Sequence, residues 1–105
     1  MRHTLTLAVC LAGIVVASSA TASEAIVKKA RCVACHAVDK KLVGPAYKDV
    51  AARYRGDAGA PARLAAKVRA GGSGNWGEIP MLPHPSDKIS DADLATAIDW
   101  ILALQ

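Results

Sequence analysis

Hydrophobic and polar positions divide the chain into one mostly apolar run near its start and four later helical segments separated by glycine and proline. The apolar run, Leu5 to Val16, follows the basic Met1-Arg2-His3 and precedes Ala20-Thr21-Ala22. Basic, apolar and then small residues in that order form the pattern of a cleavable export leader. Residues 1–22 are therefore expected to be a signal peptide, and residues 23–105 the mature domain. A permanent membrane anchor would need about 20 apolar residues, more than this run supplies. Cys10 makes a poor lipidation site, because Val9 stands where a small residue is wanted and little hydrophobic sequence lies upstream.

The first helical segment, Ser23 to about Cys32, places Glu24 near its positive end and Lys28, Lys29 and Arg31 near its negative end. A second follows Gly44-Pro45, where Tyr47, Val50, Ala51 and Tyr54 recur at spacings of three and four, and it stops near Gly56. The third runs from Pro61 through Leu64, Ala65 and Val68 to Gly71-Gly72. In the fourth, Ser90-Asp91-Ala92-Asp93 resembles a capping box and leads an apolar stripe of Leu94, Ala97, Ile98, Ile101 and Leu102. No alternating run predicts a strand. Between the third and fourth segments, Gly71 to Lys88 is too long and irregular for a simple connection, and Trp76, Ile79, Met81 and Leu82 are too apolar for a solvated linker.

Composition sharpens the picture. Losing 22 residues from 105 leaves 83, and losing Arg2 leaves twelve basic against nine acidic side chains, a formal charge of +3. A domain of that size has little margin from its core alone. Phe is absent, and the aromatics are Tyr47, Tyr54, Trp76 and Trp100, so the usual large core fillers are scarce. A bound group is expected in the middle of the fold.

Cys32-Val33-Ala34-Cys35-His36 supplies the attachment signal for that group. In a CxxCH sequence two thiols reach the vinyl groups of a c-type haem, and the adjacent histidine reaches its iron. Two other readings attach to the same residues, a redox disulfide of the thioredoxin kind and half of a zinc site. The first wants a βαβ surround and the second wants more ligands, whereas the only other mature histidine is His84. Met81, the sole mature methionine, lies between Pro80 and Pro83 and is the candidate for the sixth iron position; its alternative is a gap-filling core side chain. A soft thioether favours reduced iron relative to a second imidazole, which suits an electron carrier rather than an enzyme.

Three stretches, Cys32 to Ala37, Val43 to Ala51 and Trp76 to Met81, resemble in order and spacing those of small bacterial class I cytochromes c of the c-551 type. The likeness covers nearly all of residues 23–105. It implies an all-α fold of about four helices around one covalently bound haem, with the first and last helices crossing. It also implies His36 and Met81 as axial ligands, the Pro45 carbonyl accepting the other ring N–H of His36, and Trp76 donating to a haem propionate. Trp76 is alternatively an ordinary core aromatic, and Trp100 reads as packing. Lys67 matches a position where the family often has a basic side chain near a propionate, but a solvated helix lysine is the preferred reading. Where the family often has an amide three residues after the methionine, this chain has His84. His84 would make the iron potential pH-dependent, or else simply faces solvent between two prolines.

The expected function is thus a periplasmic, monomeric carrier of single electrons between respiratory or denitrification redox proteins. Two rival classes are a haem enzyme or gas sensor with an open sixth position, and a haem subunit of a larger oxidoreductase. Lys28, Lys29, Arg31, Lys40 and Lys41 cluster around the attachment site and would form a basic rim for a partner with an acidic docking surface; the alternative is plain solubility. Nucleic acid is a poor partner despite a pI of 9.2, since the leader contributes charge and propionates subtract it. Stable membrane insertion of the mature chain is not expected.

Overall fold

The computed structural model describes residues 10, 12–13 and 19–105; most of the expected leader, residues 1–22, lies outside the described residues. Among the described residues there are four α-helices: α1 (Ser19–Lys29), α2 (Tyr47–Arg53), α3 (Ala60–Ala70) and α4 (Asp91–Leu102). Between α3 and α4 a hairpin joins β1 (Gly72–Gly74) to β2 (Gly77–Met81). No helix of the described residues is long and apolar enough to cross a membrane.

Helix α1 begins four residues before Ser23, so it runs through the expected cleavage point, and Ser23 itself is buried. Its inward face, Ser23, Ile26, Val27 and Ala30, follows helical spacing. Its end comes earlier than Cys32 because Arg31 takes a left-handed conformation, φ 64° and ψ 21°. That geometry stops the α-helix and turns the chain into a single 3₁₀ turn, Cys32–Ala34. For a residue with a Cβ it carries a cost of about 1–2 kcal/mol, so the surrounding contacts must hold it.

Helix α4 packs against α1, α2 and α3 and is the centre of the fold. Ser90 caps it, its hydroxyl accepting from the Asp93 N–H at 3.1 Å, while Asp91 and Asp93 sit at the positive end of the helix dipole. Ala30, Ile89, Leu94 and Ile98 form the buried cluster, with Ile26, Cys32, Leu64, Ala65, Val68 and Leu102 packed around it. Many other buried positions are alanines (Ala46, Ala51, Ala60, Ala97), so the helices approach closely but few large side chains are buried.

The hairpin is the element without an antecedent in the apolar pattern. β1 pairs antiparallel with β2, Gly72 opposite Met81 and Gly74 opposite Gly77, with an irregularity between. Gly72, Gly74 and Gly77 have φ of 105°, 112° and 115°, which side-chain-bearing residues rarely adopt. Backbone freedom rather than alternating side chains makes this pairing, which is why a period-two search does not find it.

Candidate functional site

The Arg31 turn brings the CxxCH residues together. Within it the Cys32 carbonyl accepts from the N–H groups of both Cys35, at 3.1 Å, and His36, at 3.0 Å. Cys32 and Cys35 are not joined in a disulfide, and each is half-buried. Burial pushes the Cys32 thiol up from its ordinary value, against the smaller opposing effect of hydrogen bonds from backbone and from Tyr47. Burial likewise raises the Tyr47 hydroxyl well above its usual range. A redox-active CxxC is favoured by a thiol lowered toward thiolate, the opposite of the direction in which burial moves Cys32. Zinc would need further ligands, and among the described residues no three His, Cys, Asp or Glu side chains gather into a metal site.

His36 is held on several sides. Its Nδ1 lies 2.8 Å from the Pro45 carbonyl oxygen. A carbonyl only accepts, so Nδ1 carries the proton and Nε2 presents a lone pair, the form in which imidazole binds a metal. Its ring stacks on Tyr47, centroids 5.3 Å apart and planes 18° from parallel, and Tyr47 in turn meets the edge of Trp100 at 5.9 Å. Gly44 closes the arrangement: a Cβ there would fall 2.4 Å from the His36 ring, so only glycine leaves the ring its place. Backbone bonds from Gly44 to Cys35 (2.8 Å) and from Tyr47 to Ala37 (2.9 Å) lay the two segments side by side.

Met81 ends β2 and is half-buried, beside exposed Ile79 and Leu82. Gly71 passes so close that a Cβ would stand 2.5 Å from the Met81 carbonyl oxygen, which fixes where the hairpin leaves α3. After Met81, the His84 N–H donates to the Val68 carbonyl at 2.9 Å. The His84 Nδ1–H donates to the Leu82 carbonyl at 2.8 Å, so the neutral ring keeps only a lone pair at Nε2. It has a second N–H only as imidazolium.

Trp76 sits at the hairpin turn, 39% exposed, with the Arg53 guanidinium 4.3 Å over its ring and Tyr54 against its edge. Arg53 also donates to the Asn75 carbonyl, which ties the turn to α2. Lys67 is half-buried, its amine beside Gly72 of the hairpin. Lys28, Lys29, Arg31, Lys40 and Lys41 are all exposed.

The distribution of apolar surface tests whether a haem fits. The large hydrophobics most exposed among the described residues are Val33, Leu42, Val43, Trp76, Ile79 and Leu82. All six fall on the CxxCH segment and its sequel or on the Met81 hairpin and loop. Two thiols, an imidazole with a lone pair at Nε2 and two apolar segments are the attachment points, ligand and walls that suit a covalently attached haem.

A family model for cytochrome c matches residues 20–105. Cytochrome c-551 of Allochromatium vinosum is 53% identical over 89 residues, covering 85% of this chain and 93% of the relative. Cytochrome c-552 of Nitrosomonas europaea is 47% identical over 92 residues, covering 88% and 87%. The crystal structure of wild-type Nitrosomonas europaea cytochrome c552 superposes with a TM-score of 0.72 at 48% identity, over 78% of this chain and 99% of that one. The class 1 cytochrome MtoD of Sideroxydans lithotrophicus ES-1 gives 0.67 at 34% identity, over 79% and 92%.

Proposed function

Since the chain belongs to the cytochrome c family, as a class I member of the c-551 type with one covalently bound haem c, we propose that it is a periplasmic single-electron carrier whose iron is ligated by His36 and Met81. The haem supplies a one-electron iron couple when bound. Cys32 and Cys35 form its thioether links, and His36 presents Nε2 because the Pro45 carbonyl takes the Nδ1 proton. Met81 provides the sixth ligand from a loop stiffened by Pro80 and Pro83. Trp76 donates to a propionate from its place under Arg53. With both axial positions filled, the protein transfers electrons at the haem edge without binding substrate.

The observation that carries this reading is the imidazole geometry of His36 together with the apolar surface confined to its segment and the Met81 loop. Carbon monoxide tests it. Ferrous protein at neutral pH should not take up the gas readily, whereas ready uptake would identify an open site and an enzyme or sensor.

Export removes residues 1–22, and the mature monomer docks acidic redox partners through the exposed lysines and Arg31 around the attachment segment. His84 tunes the couple. Because its Nδ1 proton is committed to Leu82, protonation adds a charge and a new donor at Nε2, and both favour reduced iron. The midpoint potential of His84→Asn should therefore differ from that of the parent. An unchanged potential would remove His84 from this role.

A further inference from the structure

Arg69 lies in the last turn of α3, and its side chain is only 23% exposed. One guanidinium nitrogen donates to two carbonyls, His84 at 3.0 Å and Ile89 at 2.7 Å, and the other donates to the Asp91 carboxylate at 2.5 Å. Those partners mark three places: the loop just after Met81, the last core residue before α4, and the first turn of α4. The neighbouring Val68 carbonyl accepts from His84 as well, so the same loop residue is gripped through both its N–H and its C=O. Asp91 is 94% exposed, and its ion pair is screened by water. The two carbonyl bonds are part-buried and are the stronger hold.

On the reading that Met81 ligates the iron, we propose that Arg69 is the positioning residue for that ligand, a clip that fixes the downstream end of its loop. Upstream, the loop is set by Gly71 and the hairpin; downstream of Met81, residues 82, 83 and 85–88 are exposed. Without Arg69 the backbone at His84 keeps only the Val68 bond and the ring's own local bond to Leu82. The thioether would then leave the iron more often while α3 and α4 stay folded. A lysine cannot reproduce the fork, because one ammonium is a point donor rather than a planar pair of nitrogens.

The test is competition by added imidazole for the ferric iron of haem-loaded protein, followed in the visible spectrum, with helix content monitored by circular dichroism. Arg69→Gln should bind imidazole about tenfold more tightly than the parent, the scale of one lost charge-assisted hydrogen bond. Arg69→Lys should fall between the two. Arg63→Gln, on the same helix as Arg69, breaks an exposed ion pair with Asp57 in the turn before that helix and should leave binding unchanged. If Arg69→Gln does not mature, Arg69→Lys carries the comparison. Parent-like imidazole affinity in the Arg69 variant that matures, or an equal change in Arg63→Gln, overturns the clip. A parent protein whose ferric spectrum lacks methionine ligation overturns the Met81 assignment instead, so the two failures are distinguishable.

Discussion

Chain produced where haem cannot be attached should lose most of its helical circular dichroism and unfold without a cooperative transition. The described core explains why. Its buried cluster has four members, one of them an alanine, while six large apolar side chains remain substantially exposed on the two segments that would contact haem. A haem burying roughly 400 to 500 Å² of apolar surface contributes on the order of 10 kcal/mol gross, comparable to the whole net stability of a small domain. Helix α2, with seven residues, cannot persist alone, and α1, α3 and α4 at eleven or twelve are each marginal in isolation. Cys32→Ala with Cys35→Ala should give the same outcome in an otherwise competent host. A haem-free chain with a sharp melting transition and native-like helix content would contradict it.

Met81→Ala has the second large effect, on the couple rather than on the fold. Loss of the thioether should lower the midpoint potential by roughly 0.1 V or more, on a scale where axial ligation sets haem potentials over about 0.8 V. The ferrous variant should then bind carbon monoxide at neutral pH, in contrast to the outcome expected for the parent. The variant's helix content should change little, because Met81 lies outside the buried cluster and ends an exposed two-stranded hairpin. A potential unchanged by this substitution would return Met81 to the role of a packing side chain.

Much of the scaffold is legible in the order of residues, for local reasons. Ser90 and the stripe after it specify α4, since a cap and a 3.6-residue period are short-range signals. Pro61 and Gly71 likewise bracket α3 to within a residue. The end of α1 is hidden because nothing in an arginine announces a left-handed backbone; Arg31 adopts it where the chain turns into the attachment segment. The hairpin is hidden because its glycines carry backbone geometry instead of a hydrophobic pattern.

At the site, the CxxCH pentapeptide and Pro45 can be read from spacing and resemblance, and the Nδ1 to Pro45 distance gives His36 a defined tautomer. Three neighbours carry no such signal. Tyr47 looks like one apolar position on a helix, yet it stacks on the His36 ring. Gly44 looks like a turn residue, yet it is also the one side-chain size that spares that ring. Arg69 looks like a solvated cation, but it reaches fifteen to twenty-two residues along the chain to join α3, the loop and α4. Long-range partners of this kind depend on how the helices pack around α4, which local sequence does not encode.

The central claim is that Met81 completes the coordination begun by His36, and it is tested most directly by the ferric absorption spectrum of protein matured in a periplasm. The account predicts the weak long-wavelength band of methionine-ligated haem, lost in Met81→Ala. Absence of that band from the parent protein would contradict it.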